Sequence, residues 1–189
     1  MLANNKAVRE TSMNNNQRLE VFQQVLYSKK ENQVYAVLDG ASIPNLQQLF
    51  IEHKVDNICL YRGELEPDLA EMAPYLAHLP PESSFTRLLL QKGWGTHLGI
   101  FAISNGDLRT LRMHFRKFLM VLDPDGKPLY FRYYDPRVLR IYLPTCNTDE
   151  LQTVFGPVEA YILEGETPNK LLRFTYGADG LGKHEIALP

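Results

Sequence analysis

The sequence predicts an α/β fold, a single domain with a mixed, partly parallel sheet of about five or six strands flanked by helices. Three observations carry this prediction. Val34 to Asp39 (VYAVLD) and His97 to Ser104 (HLGIFAIS) are continuous apolar runs, which suit strands buried on both faces. A helical stretch separates the first run from a second buried strand, Asn57 to Tyr61 (NICLY); this is the spacing of a βαβ unit, so the two strands are expected to be parallel. Leu129 to Leu139 (LYFRYYDPRVL) joins a strand to a helix through a charged hinge. Leu129, Phe131 and Tyr133 would face one side of that strand, and Tyr130, Arg132 and Tyr134 the other. Asp135 is a good N-cap, and Pro136 is tolerated at the first helical position.

The elements follow in order. Asn14 to Asn16 offer caps for a helix over roughly 15–30, with Leu19, Phe22 and Leu26 on its apolar face. Gly40 ends the VYAVLD strand, and Pro44 opens a helix to about Glu52. Residues 64–81 carry four prolines and read as an irregular loop with one short helix, within which APYLAHL could pair as an extended segment. Ser83 and Ser84 cap a helix to about Lys92, and Gly93-Trp94-Gly95 turns the chain into HLGIFAIS. Asn105-Gly106 is a turn signal, and Asp107 caps a long helix reaching about Leu122. Asp123-Pro124-Asp125-Gly126 is a reverse turn into the LYFRYY strand. A helix follows Pro136, and another runs from about Thr148 to Phe155, ended by Gly156-Pro157. Val158 to Leu163 and Lys170 to Tyr176 read as a hairpin. The residues after it look like a loose tail.

Bulk properties bound the function. At 189 residues, 44% hydrophobic and 22% charged, the chain can bury a sizeable core without disulfides or metals. Only Cys59 and Cys146 are present, which fits a reducing compartment. A net charge of −2 gives no global basic field for nucleic acid. No apolar run approaches the ~18 residues of a membrane span. The N-terminus has no apolar core of a signal peptide, so a cytoplasmic location is expected.

Catalytic signatures are sparse. The five histidines and two cysteines show no metal-ligand spacing, so no metal is expected. Gly93-Trp94-Gly95 precedes a strand rather than a helix, the wrong context for a dinucleotide fingerprint. No cofactor and no enzymatic activity are expected. Asp39, at a strand end, could line a ligand site or simply cap the turn at Gly40. His97 could be a general base or a structural histidine at the start of an apolar strand. Asp135 could be an acid beside Arg132 and Arg137, or the N-cap that also explains Pro136. In the bland reading, Arg132, Asp135 and Arg137 form a local polar hub tying strand end to helix start.

Residues 107–122, DLRTLRMHFRKFLMVL, carry an apolar stripe beside Arg109, Arg112 and Arg116, which fall at offsets of three and four and share a flank with Met113 and Met120. Like charges at that spacing repel by roughly a few tenths of a kcal/mol per pair, so the flank wants acidic partners. Those partners could be internal, or could belong to another protein; Arg109, Arg112, Met113 and Arg116 are the candidate partner-binding residues. A third reading is single-stranded nucleic acid on the Arg-rich helix, since Arg132, Arg137 and Arg140 extend the positive region among tyrosines.

Three stretches, GWGTHLGIFAIS, DLRTLRMHFRKFLMVLDPDGKPLYFRYYDPRVL and FGPVEAYI, together resemble the type VI secretion effector-adaptor family, the Tap or TEC chaperones catalogued as a domain of unknown function. The matching residues are Trp94-Gly95, Leu111-Arg112, Asp123 to Gly126, Phe131-Arg132, Asp135 to Leu139 and Phe155-Gly156-Pro157, and Tyr35 to Ala41 fits the family's first strand. The resemblance spans roughly residues 33–163. It implies a cytoplasmic, non-catalytic chaperone that binds a toxic type VI effector and helps load it onto the VgrG spike or its PAAR tip. On this reading residues 1–14 are a mobile leader, 15–177 the adaptor domain and 178–189 a loose C-terminal tail. Many members carry a longer C-terminal lobe, and this chain ends soon after its last hairpin. The two rival functions are the nucleic-acid module and a small α/β enzyme with a site near Asp39 and His97.

Overall fold

Alternation along the first strand sends apolar side chains to both faces of a sheet, and helices cover both. The computed structural model describes residues 15–189, so the expected leader over 1–14 lies outside the described residues. In chain order the elements are α1 (15–26), β1 (Gln33–Asp39), a 3-10 turn (Gly40–Ser42), α2 (Leu46–Glu52), β2 (Asn57–Cys59) and α3 (Pro67–Met72). Next come β3 (Pro74–His78), α4 (Ser84–Leu88) with a π-type extension (Leu89–Gly93), β4 (Gly99–Ser104) and α5 (Leu108–Phe115) with a 3-10 end (Arg116–Phe118). Then follow β5 (Met120–Leu122), β6 (Pro128–Tyr130), α6 (Pro136–Tyr142), α7 (Thr148–Phe155), β7 (Val158–Glu164), β8 (Lys170–Gly177) and β9 (Gly180–Ala187).

The main sheet has seven strands in the order β2-β3-β1-β4-β7-β8-β9, with every adjacent pair antiparallel. The expected mixed, partly parallel sheet of five or six strands is therefore incorrect. β1 and β2 do not pair: β3 lies between them, antiparallel to both, with Ala77 opposite Ala36 on one side and Asn57 on the other. The proline-rich stretch supplies the missing strand. Continuous apolar runs report burial on two faces, and here helices on both sides of an antiparallel sheet supply that burial without any parallel pairing.

Val34, Ala36 and Leu38 of β1 join a core with Phe22 and Leu26 of α1, Phe50 of α2 and Phe85 of α4. Tyr35 and Val37 face a second core with Leu111 and Phe115 of α5, Leu139 of α6 and Val154 of α7. Burying one such large apolar side chain stabilises by about 1.5–3 kcal/mol, so the two faces together dominate the fold. Trp94 stacks on Phe101, meets Phe22 edge-on and donates its indole N–H to Pro168 O at 2.9 Å.

Three further expectations change. The long helix to Leu122 stops early, because Met120–Leu122 pairs with Pro128–Tyr130 as a two-stranded ribbon. The turn between them is tied by Asp123 Oδ1, which accepts the N–H groups of Asp125 and Lys127 at 2.9 and 2.8 Å. The LYFRYY strand is short for the same reason: only Pro128–Tyr130 is strand, and Tyr133 and Tyr134 lie in a turn. The expected loose tail contains β9, paired with β8 along its whole length from Lys170↔Ala187 to Gly177↔Gly180.

One buried polar cluster pins α5 to α7. His114 Nε2 donates to Val154 O at 2.9 Å, and Tyr161 Oη donates to the same carbonyl at 2.7 Å. Gly156, at φ +45°, ends α7 so close that a Cβ there would stand 2.7 Å from the His114 ring. Burial lowers the imidazole pKa from 6.5 to about 4, outweighing the Val154 carbonyl. The unfolded chain therefore takes up this proton near 6.5 and the folded one near 4, and the stability contributed by the neutral ring is lost as pH falls through that window. The melting temperature should drop between about pH 7 and about pH 5, and the drop should be shallower in His114→Gln. Identical slopes for the two proteins would contradict this assignment.

Candidate functional site

Asp39 closes β1 with a buried carboxylate. It accepts the Ala41 N–H at 3.2 Å and the Ser42 hydroxyl at 2.8 Å, which fixes the 3-10 turn. Its third partner is Arg132, from the segment leaving the ribbon, which pairs with Asp39 Oδ2 and lies 5.9 Å from the Tyr134 ring centroid. The turn also packs tightly: a Cβ at Gly40 would meet Glu71 O at 2.4 Å, so only glycine admits the α3–β3 junction here.

The expected hub of Arg132, Asp135 and Arg137 is thus divided. Asp135 caps α6, accepting the Arg137 N–H at 2.9 Å and its guanidinium at 2.6 Å. Burial works to raise the Asp135 pKa, but the Arg137 hydrogen bonds outweigh it and hold the carboxyl below its ordinary value. Between these two anchors, Tyr133 donates its buried hydroxyl to Phe115 O at 3.0 Å. The hinge therefore fastens the ribbon's exit to β1, α5 and α6 at once.

What these anchors position is a groove of about 750 Å³. One wall comes from the chain after β2 (Leu60, Tyr61, Arg62, Leu65) and from Leu69 of α3; the other comes from Arg116, Lys117, Leu119, Met120 and Tyr130. A smaller hollow of about 240 Å³ continues past Tyr61 and Tyr130 to Asp39 and Arg132. The rings of Tyr61 and Tyr130 stand 6.4 Å apart, centroid to centroid. The surroundings are unusually apolar. Met120, Val121, Leu122, Leu129 and Tyr130 of the ribbon are all exposed, as are Leu69 and Met72 beside it.

The Arg-rich flank contributes unequally. Arg116 lines the groove, whereas Arg112 is half-buried and donates from Nε to Cys59 O at 3.1 Å, bracing the β2 edge. Arg109 and Met113 are exposed and lie outside the groove lining. Desolvation lowers the Arg116 pKa, and the Arg112 and Arg62 charges lower it further. Among the described residues, Arg62, Arg112, Arg116 and Lys117 form no ion pair with a carboxylate. The residues missed from sequence are those of the other wall, because residues 61–69 carry no periodic pattern. The run of exposed apolar side chains in 120–130 was the available signal, hidden by assigning part of it to helix.

His97 does not converge on Asp39. It adopts φ +60°, and its Nδ1 lies 2.7 Å from Oε2 of the buried Glu164, which also accepts the Gly95 N–H at 2.8 Å. This carboxylate organises the Gly93–His97 loop. Arg140 donates to the neighbouring Gly165 O at 2.8 Å. Among the described residues no group of three or more His, Cys, Asp and Glu side chains is placed to hold a metal ion, and no helix is long and apolar enough to cross a membrane.

An antiparallel sheet between two helical layers, with a cation-rimmed apolar groove at one edge, describes the class of molecule. Residues 34–153 match the family described as a domain of unknown function (DUF4123), and the chain belongs to that family. No curated protein and no solved structure matches it. The matched span holds both groove walls and all three anchors of the hinge.

Two stability effects follow from the anchors. Asp135→Ala should cost about 1 kcal/mol, the usual loss of an N-cap. Asp39→Ala and Arg132→Ala should each cost about 2 kcal/mol, the first by removing the acceptor of three donors, the second by leaving a buried carboxylate without its cation. Denaturant titration measures these losses; an unchanged stability in either the 39 or the 132 variant would contradict the anchoring role.

Proposed function

We propose that this protein is a non-catalytic cytoplasmic adaptor that binds a type VI secretion effector and helps load it onto the VgrG spike or a PAAR tip. The observation that carries the proposal is membership of the DUF4123 family, known for type VI effector chaperones, over residues 34–153. The geometry supports it. The exposed apolar ribbon and cation-rimmed groove form a surface fit for a protein partner, since contiguous apolar patches on soluble proteins mark interaction sites. Arg116 would hold the partner from inside the groove, with Arg109, Arg112 and Met113 continuing the surface along α5. The two residues of the enzymatic alternative, Asp39 and His97, hold loops instead of facing one cavity.

The test is affinity capture of the tagged protein from cells expressing the secretion system, read by mass spectrometry. An effector, VgrG or PAAR protein should co-purify. A preparation carrying none of these would contradict the adaptor role.

A further inference from the structure

We infer that the groove beside the Tyr61–Tyr130 pair, between the wall of residues 60–69 and the wall of residues 116–130, receives one extended or helical segment of a partner protein in which acidic residues flank large apolar ones. The inference deepens the adaptor reading by naming the chemistry of the bound segment, and it rests on that reading only in taking the occupant to be protein.

Three observations lead to it. First, the site has two walls that meet where the Tyr61 and Tyr130 rings pack against each other, and the open volume of about 750 Å³ beside that pair admits a chain segment, whereas a flat partner surface would touch only its rims. Second, the apolar surface continues out of the cleft along the ribbon to Leu122, on the same face as Met120 and Tyr130, while Val121 and Leu129 are exposed on the other face. A two-stranded ribbon exposing apolar side chains on both faces is marginal on its own, and a bound segment would cover those on the groove face. Third, the cleft is positively charged and unpaired. Arg62, Arg116 and Lys117 line it without a carboxylate partner among the described residues. Glu64, Glu66 and Asp68 occur in the same loop, yet none forms an ion pair with these cations. Clustered cations that repel one another bind a segment carrying carboxylates better than an uncharged one, and a forked guanidinium suits the carboxylate geometry.

A random peptide library displayed on phage, selected against the full chain, tests the inference whatever the native cargo proves to be. Enriched sequences should combine Asp or Glu with Leu, Phe or Trp, and the corresponding synthetic peptides should bind more weakly as salt rises. Arg62→Glu with Arg116→Glu should weaken them roughly tenfold or more, and Tyr130→Ser, at a 72% exposed position, should weaken them while the melting temperature stays unchanged. No enrichment, enrichment of basic or uncharged sequences, or equal binding to these folded variants would overturn the inference. Retention of a single-stranded DNA oligonucleotide lost in the same Arg variants would instead assign the cleft to nucleic acid. The adaptor reading fails separately, when affinity capture returns no effector or spike component.

Discussion

The groove depends on one buried carboxylate. Asp39 sits where the interior strand β1 leaves the core, and a carboxylate there is costly unless donors surround it. Ala41, Ser42 and Arg132 provide them. The first two shape a local turn. The third comes from far along the chain, and through it the position of the ribbon becomes tied to a buried interior strand. Tyr133 and Asp135 then fix the same segment to α5 and α6, so that an exposed, otherwise marginal pair of strands stands at a defined distance from the opposite wall.

The arrangement separates stability from recognition. Both apolar cores lie on the faces of the seven-stranded sheet, and the groove lies beside them, lined by side chains such as Leu69, Met120 and Tyr130 that add little to either core. A partner-facing surface can therefore be apolar without being part of the folding core. Arg116 illustrates the cost: it sits among other cations in partly desolvated surroundings, and nothing within the described chain neutralises it.

Local chemistry in the sequence was read well where a single side chain decides the outcome. Asp107 and Asp135 cap α5 and α6, the Gly156 turn ends α7, and the β7–β8 hairpin forms as expected. Strand direction was not legible, because a two-face apolar run is the same string of residues in a parallel or an antiparallel sheet. The APYLAHL segment does pair, as β3, but its proline-rich surroundings hid its place inside the main sheet; Pro74 stands at a strand start, where proline is tolerated. Glycine content masked β9, although Asp179-Gly180 marks its turn. At the site, helical spacing grouped Arg116 with Arg109, Arg112 and Met113, of which Arg116 alone lines the groove, and it overran into Met120–Leu122, where pairing with Pro128–Tyr130 prevails over helix periodicity. The facing wall, from Leu60 to Leu69, comes together only through tertiary structure.

Hydrogen–deuterium exchange on the wild type and on Asp39→Ala addresses the dependence of the groove on this carboxylate most directly. If Asp39 holds the ribbon through Arg132, exchange should accelerate selectively over residues 119–134, with β1, β4 and β7 still protected. Unchanged protection of 119–134 in a folded variant, or uniform loss of protection across the sheet, would contradict the account.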